Sequence, residues 1–150
     1  MKRISIVMAL LLFAAFATFA KGQEKAVPID LNTAEFVEKV HNFKTNPKDW
    51  DYLGDKPAII DFHATWCGPC KQLAPTLKAL AAEYGDEIYI YKVDVDKEPD
   101  VARAYGIRSV PSLLFIPQDD SKPKMGQGNI PKASLKKEID EFLLGKEVEQ

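Results

Sequence analysis

Residues 58–71 read AIIDFHATWCGPCK and join a short apolar segment to two closely spaced cysteines. Apart from Asp61, the run Ala58–Phe62 is apolar, which is typical of a strand buried on both faces of a parallel sheet. Cys67 and Cys70 come next, between this strand and a helical pattern. The stretch therefore predicts a strand, a turn that holds two thiols, and a helix.

The helix after the cysteines is predicted from the spacing of its apolar residues. Leucines, alanines and a tyrosine recur on one face from about Gly68 to Glu83, and Gly85 can end the helix. Pro75 lies inside it, where the ring clashes with the preceding turn and predicts a kink. Cys67 then stands at the N-terminus of this helix and Cys70 one turn further on.

The rest of the chain alternates between strand and helix patterns. Before the cysteines, the patterns predict a strand at Val27–Leu31, a helix capped by Asn32 or Thr33 that runs to about Phe43, and a polar connection at 44–57. After them come a strand at Ile88–Val93, a helix at Pro99–Tyr105 closed by Gly106, a strand at Ser112–Ile116, an antiparallel strand at Lys122–Gln127 and a helix at Lys132–Leu144. This alternation predicts an α/β fold with helices on both faces of an open sheet.

The position of Cys67 favours redox chemistry. Unpaired backbone N–H groups and the helix dipole stabilise a thiolate at a helix N-terminus, and the thiolate is the nucleophile of disulfide exchange. Cys70 is close enough in sequence to reach the Cys67 sulfur. Gly68 permits close approach of a partner chain, and Pro69 suits an early helical position.

The spacing of the two cysteines argues against a structural role. A bridge over four residues stabilises by about 2 kcal/mol in the chain-entropy model, against about 4.7 for a loop of a hundred residues. A zinc site normally needs four ligands, whereas the chain has two cysteines and two histidines in all. The pair is therefore better suited to a reversible redox switch, and no metal is expected.

Length and composition indicate one ordinary globular domain. The chain has 150 residues, 46% hydrophobic and 28% charged, with a net charge of −2. No basic cluster lies beyond the first three residues and no internal repeat is visible. These features give no reason to expect nucleic-acid binding.

The first twenty residues are interpreted as an export signal. Lys2 and Arg3 precede the uncharged apolar run Ile4–Phe16, and small residues permit cleavage after Ala17 or Ala20. The apolar run is slightly short for a membrane span of roughly 20 residues. We therefore expect cleavage and a periplasmic protein, with ordinary secretion or an uncleaved membrane anchor as alternatives.

Three stretches resemble the thioredoxin family. They are the quoted residues 58–71, Tyr91–Asp96 (YKVDVD) and Tyr105–Pro111 (YGIRSVP), and the similarity extends from about residue 27 to the C-terminus. WCGPC after a buried strand, with Val-Pro about forty residues later, is highly specific to this family. The resemblance implies the thioredoxin fold over 21–150, a central mixed five-stranded sheet flanked by four helices.

The resemblance also implies roles for two charged strand residues. Asp61 matches the family's buried carboxylate, which relays protons to Cys70 through water. Burial disfavours the charged form and raises the pKa of a carboxyl group. Lys92 matches the lysine near that aspartate and would modulate its charge. A buried aspartate satisfied by hydrogen bonds and a solvated lysine are the structural alternatives.

The expected substrate-binding residues surround the cysteines. Val110-Pro111 matches the family's cis-proline, whose neighbouring backbone pairs with the substrate polypeptide. Trp66 resembles the surface aromatic beside the dithiol, and Gly128 the glycine that lines the substrate groove. Gly68 and Pro69, between the cysteines, complete the set.

Departures from the family pattern include His63 and the connection 44–57. His63 stands where thioredoxins usually have a large aromatic residue, so it either packs there or titrates and tunes the site. The connection 44–57 is longer than in compact thioredoxins. Its Trp50 and Tyr52 are expected to cover the core rather than to bind a partner.

The sequence thus predicts a thiol–disulfide oxidoreductase that reduces protein disulfides outside the cytoplasm. No bound cofactor is needed, a membrane electron carrier is the expected donor, and a monomer is expected. The nearest alternative is a thiol oxidase or disulfide isomerase that uses the same cysteines. A further alternative is a non-catalytic module that binds unfolded polypeptides near Pro111.

Overall fold

The structure is a computed structural model that describes residues 25–119 and 121–147. The predicted export signal at 1–20, with its cleavage sites, lies outside the described residues. Among those residues, no helix has the length and apolar character needed to cross a membrane.

Five strands and four α-helices alternate along the described chain. In order they are β1 (Ile29–Asp30), α1 (Thr33–Lys39), β2 (Ala58–His63), α2 (Gly68–Tyr84), β3 (Tyr89–Asp94), α3 (Pro99–Ala104), β4 (Ser112–Ile116), β5 (Lys124–Gln127) and α4 (Lys132–Lys137). A 3₁₀ turn follows α2 at Gly85–Glu87, and a π-helical segment, Glu138–Leu143, continues α4. The predicted alternation of strands and helices is confirmed.

The strands form one mixed sheet in the order β1-β3-β2-β4-β5. β3 is parallel to both β1 and β2, whereas β4 is antiparallel to β2 and to β5. β2 is therefore a central strand, with β3 on one side and β4 on the other. Its carboxyl end leads directly to the cysteines.

Helices cover both faces of the sheet. α2 and α4 bury their leucines against one face, which includes Ile59 of β2 and Phe115 of β4. α1 and α3 cover the other face, where Ile60 and Phe62 of β2 are fully buried. Successive residues of β2 thus point to opposite sides, and Asp61 shares the α2 side with Ile59.

Two predicted boundaries at the start of the domain are wrong. β1 is limited to Ile29–Asp30, because only these residues pair with Tyr91 and Lys92 of β3. α1 begins as predicted, since Asn32 and Glu35 form a reciprocal capping box. It ends at Lys39 rather than near Phe43.

His41 explains the early end of α1. The predicted continuation through this residue would place its ring on the helix surface. Instead the buried ring contacts the carbonyl oxygens of Asn46 and Asp49, at 3.1 and 3.2 Å from Nε2, and the Tyr105 hydroxyl, at 2.8 Å from Nδ1. These contacts hold the connection 44–57 against the domain.

The prediction that Trp50 and Tyr52 cover the core is confirmed. Both are partly buried and lie against the core cluster beneath α1 and α3. Their rings stack with an interplanar angle of 5°. The Tyr52 hydroxyl also donates to the Lys56 carbonyl oxygen at 2.6 Å.

The remaining helices and strands differ only slightly from their predicted bounds. β2 extends to His63, α2 to Tyr84, and β3 begins and ends one residue later than predicted. β5 begins at Lys124 rather than Lys122, and α3 ends at Ala104. The last helix is regular only to Lys137, although Leu135, Ile139 and Leu143 are buried as its pattern predicts. Pro75 lies within α2, as expected.

Candidate active site

The two cysteines form a disulfide at the N-terminus of α2. Their Cα atoms are 5.3 Å apart. Cys67 is the N-cap residue, and the backbone N–H of Cys70 donates to its Sγ atom at 3.2 Å. Pro69 lies in the first turn, where no N–H is needed. After reduction, the same N–H faces a Cys67 thiolate.

Both cysteines are buried in the disulfide form. Only 3% of Cys67 and 6% of Cys70 is exposed. Total exposure therefore does not distinguish the two cysteines in this form. The local contacts differ instead, because Cys67 accepts the N–H bond and lies beside Val110.

The predicted cis peptide bond is confirmed at Val110-Pro111. The Val110 carbonyl oxygen lies 3.5 Å from the Sγ atom of Cys67. Gly128 is tied to the same segment, because its N–H donates to the Pro111 carbonyl oxygen at 2.8 Å. Gly128 has φ +83°, a conformation that favours glycine. The structure therefore brings together Cys67, Val110, Pro111 and Gly128.

Trp66 is the most exposed large apolar side chain beside the dithiol, at 69%. Its Nε1–H donates to Oδ2 of Asp96 at 2.8 Å. Sequence reasoning missed Asp96, although it ends the YKVDVD stretch that carries part of the resemblance. The carboxylate limits the orientation of an indole ring that would otherwise be held by few contacts.

Gln72 and Asn129 form a second contact that the sequence did not predict. The Asn129 side-chain N–H donates to Oε1 of Gln72 at 3.1 Å, and both residues are exposed. Gln72 follows Cys70 by two residues, and Asn129 follows Gly128. The pair therefore links α2 to the loop beside the cis-proline.

The space beside Gly68 is open. A Cβ atom placed on this glycine would meet no other atom of the described residues within 4 Å, apart from its chain neighbours and the backbone of its own helix. The expected close approach of a second polypeptide to this side of the disulfide therefore meets no obstacle in the described part of the chain.

Asp61 is buried in the middle of β2. It is 3% exposed, and its Oδ1 atom has no hydrogen-bond partner among the described residues. Burial raises the pKa of this carboxyl to about 7, and the charge of Lys92 opposes the rise. Burial, the cause expected from the sequence, is thus the larger of the two effects on this pKa. A group of this pKa exchanges protons at neutral pH.

His63 is partly buried at the end of β2, and its Nε2 atom is buried without a hydrogen-bond partner in the described chain. Desolvation lowers the pKa of the ring, and Lys92 lowers it further. The imidazole is therefore mostly neutral at pH 7 and adds little positive charge near the dithiol. This favours the packing interpretation of His63 over the titrating one.

The described part of the chain contains no group of three or more His, Cys, Asp or Glu residues that could hold a metal ion. The chemical groups that the site does bring together are a disulfide, a cis-proline segment with a free approach and a buried carboxyl. These groups are suited to exchange of a disulfide with a second polypeptide.

Comparisons with known proteins agree with a role in disulfide exchange. The family model for thioredoxin matches residues 28–141. A thioredoxin from Borreliella burgdorferi is 46% identical over 114 residues, which cover 76% of this chain and 96% of that protein. An M-type chloroplastic thioredoxin of Pisum sativum is 37% identical over 116 residues, or 75% of this chain and 66% of that protein.

A solved structure supports the same fold. The crystal structure of a chloroplastic thioredoxin z superposes with a TM-score of 0.59 at 27% identity, over 74% of this chain and 89% of that one. The mixed sheet with its disulfide at a helix N-terminus defines a dithiol–disulfide oxidoreductase. The chain belongs to the thioredoxin family, and it is a protein-disulfide reductase with the pair Cys67–Cys70.

Proposed function

We propose that this protein reduces disulfides of exported proteins outside the cytoplasm, with Cys67 as the attacking thiol and Cys70 as the resolving one. The observation that carries this assignment is the hydrogen bond from the Cys70 N–H to Cys67 Sγ, 3.2 Å long. This hydrogen bond stabilises negative charge on the Cys67 sulfur and gives no such stabilisation to the Cys70 sulfur. The helix N-terminus acts on the same atom.

The reaction proceeds through two exchanges. The Cys67 thiolate attacks one sulfur of the substrate disulfide, forms a mixed disulfide and releases a substrate thiolate. The Cys70 thiol then loses its proton to Asp61 through water, attacks the Cys67 sulfur and releases the second substrate thiolate. Two electrons pass to the substrate, and the protein is left with the Cys67–Cys70 disulfide.

The substrate would bind across the open side of the disulfide. Val110 and Pro111 present backbone next to Cys67, Gly128 is tied to Pro111, and Trp66 offers an exposed apolar surface. Gly68 and Pro69 leave room for an approaching chain. A polypeptide bound here would place its sulfur within reach of Cys67.

The direction of the reaction follows from the charges near the thiolate. A strongly stabilised thiolate makes an oxidant, whereas a moderately stabilised one makes a reductant. Gly68 and Pro69 add no cation, and His63 is mostly neutral at pH 7. We therefore favour reduction over the oxidase or isomerase alternative. A reductase outside the cytoplasm would be re-reduced by a membrane electron carrier, in keeping with the N-terminal pattern of residues 1–20.

The assignment is tested by trapping. Cys70→Ser should accumulate mixed disulfides with protein substrates in a periplasmic extract, and Cys67→Ser, the matched control, should accumulate none. Stable adducts with Cys67→Ser alone would reverse the roles. Insulin reduction driven by dithiothreitol should require both cysteines, whereas a binding module would keep its activity in the double serine variant.

The direction and the location need separate measurements. We expect a reduction potential of about −270 mV, as is typical of thioredoxins. A potential of about −120 mV would favour the oxidase alternative. Fractionation of cells that express the full chain should place the protein outside the cytoplasm, in a form shortened by about 17 or 20 residues at the cleavage sites that the signal pattern predicts. Recovery of the unshortened protein in the cytoplasm would contradict export.

A further inference from the structure

Three charged residues lie side by side on neighbouring strands. The register pairs Asp30 of β1 with Lys92 of β3, and the same Lys92 with Asp61 of β2. Side chains of paired positions project to the same face of a sheet. Lys92 is thus flanked by two carboxyl groups, one on the edge strand and one on the central strand.

The ammonium group of Lys92 is engaged on the edge-strand side. Its Nζ atom lies 3.1 Å from Oδ1 of Asp30. Within the described residues no hydrogen bond or ion pair reaches the Asp61 carboxyl, and Oδ1 of Asp61 is buried without a partner. The lysine in register with both carboxylates is therefore bound to the solvent-exposed one.

We propose that Asp30 is a positioning residue that holds the Lys92 ammonium toward the sheet edge and so leaves the Asp61 carboxyl without a counterion. This proposal rests on the proton-transfer role of Asp61 in the proposed function. Asp30 itself contacts neither the cysteines nor a substrate, and it acts only through Lys92.

Apart from His63, the titratable groups around Lys92 have partners of their own. A cavity of about 410 Å³ opens beside it, and its charged or titratable lining comprises Asp30, Glu35, His63, Lys92, Asp94, Lys97 and Glu98. Asp94 pairs with Lys97 at 3.9 Å, Glu35 with Lys39 at 3.2 Å, and Glu98 accepts from Thr33. From α2, the groups near the carboxyl end of β2 are the two cysteines.

The consequence for catalysis concerns the proton on Asp61. A buried carboxyl with a lysine ammonium at contact distance stays ionised and cannot return a proton at neutral pH. With the ammonium held by Asp30, burial dominates and the carboxyl takes up and releases a proton near pH 7. Asp30 would therefore set the pH range in which Cys70 resolves the mixed disulfide efficiently.

The test is a direct titration of Asp61 by the ¹³C chemical shift of its carboxyl carbon, assigned by its loss in Asp61→Asn. Asp30→Asn should lower the pKa of Asp61 by about 0.2 to 0.7 pH unit, the range set by the strength of exposed ion pairs. Asp30→Glu should restore the wild-type value. Glu38→Gln, which removes an exposed charge outside this cluster, should change nothing.

The same substitution in a Lys92→Met protein distinguishes an effect of Asp30 that acts through Lys92 from a direct effect of the Asp30 charge on Asp61. In Lys92→Met, Asp30→Asn should have much less effect on the Asp61 titration than in the wild type. An equal effect in both backgrounds, or no effect of Asp30→Asn in the wild type, would overturn the proposal. These titrations need no activity. If Asp61→Asn leaves the resolution step unchanged, the catalytic role of Asp61 is wrong. The positioning role of Asp30 is still decided by the titration.

Discussion

The Trp66 indole N–H donates a 2.8 Å hydrogen bond to Asp96, thirty residues further along the chain. Trp66 comes from the turn after β2, and Asp96 from the turn after β3. Parallel neighbouring strands end at the same edge of the sheet. The bond therefore fixes the orientation of an exposed ring at the edge where the disulfide lies.

Removal of the acceptor should weaken substrate binding. We expect Asp96→Ala to raise the KM for insulin about two- to fivefold, because the mobile indole must be ordered on binding. Asp96→Asn, which keeps a side-chain oxygen, is the matched control and should have a smaller effect. Turnover of a small aromatic disulfide should be similar in all three proteins. Equal losses with the small and the large substrate would contradict a binding role for this pair.

The Gln72–Asn129 pair should contribute to the same surface from the other side. We expect Asn129→Ala and Gln72→Ala each to raise the KM for a protein disulfide about twofold, since a polar contact at the groove edge is lost. If the two amides act as a unit, the double variant should be no worse than either single one. Additive losses in steady-state kinetics would show that they act separately.

His41 should contribute to stability rather than to catalysis. Its ring connects the segment 44–57 to Tyr105, at the end of α3, through three polar contacts. We expect His41→Ala to lower the free energy of unfolding by about 2 to 4 kcal/mol, through a cavity and unpaired buried groups. Tyr105→Phe, which removes one contact, should cost about 1 kcal/mol. Urea unfolding measures both, and limited proteolysis should cut the His41→Ala protein first within 44–57.

The strands and the cysteine turn show which parts of the fold can be predicted from the sequence and which cannot. The predicted bounds of Ser112–Ile116 match the observed strand, because an apolar run directly after a proline gives a clear signal. The cysteine turn is recognisable because function restricts its residue types. The predicted length of β1 is too great, since pairing with β3, and not apolar character, limits this edge strand to two residues.

The polar contacts of the site cannot be predicted in the same way. Trp66–Asp96, Gln72–Asn129 and Asp30–Lys92 join residues 30, 57 and 62 positions apart. Exposed polar side chains have no periodicity that marks a partner. Only the strand register and the loop positions bring them together. The end of α1 escapes prediction for a related reason, because His41 finds its partners in a connection of irregular structure.

His63 should have little influence on the reduction potential at neutral pH. Desolvation holds the pKa of the ring below its usual value, so the neutral form prevails at pH 7 and above. We expect His63→Phe to change the potential by less than about 15 mV, which corresponds to less than about 0.7 kcal/mol. Equilibration with glutathione buffers measures it. A potential more negative by about 30 mV in the variant would show that an imidazolium stabilises the Cys67 thiolate.

Asp61 should make the stability of the disulfide form depend on pH. Its pKa is about 7 in the folded chain, against an ordinary 3.8 that applies after unfolding. Between these values the unfolded chain is ionised and the folded one retains its proton, so stability falls as pH rises through this window. Below it the penalty is absent, and above it the penalty is complete, on the order of 4 kcal/mol.

Asp61→Asn should remove this dependence. The free energy of unfolding at pH 8 should exceed that of the wild type, and the decline between about pH 4 and 7 should flatten. Glu38→Gln should keep the wild-type profile. In single-turnover reduction of a disulfide peptide, attack by Cys67 should change little near pH 7, whereas decay of the mixed disulfide should slow, because Cys70 has lost its proton acceptor. A more stable variant with unchanged decay at every pH would leave Asp61 a buried charge without a catalytic role.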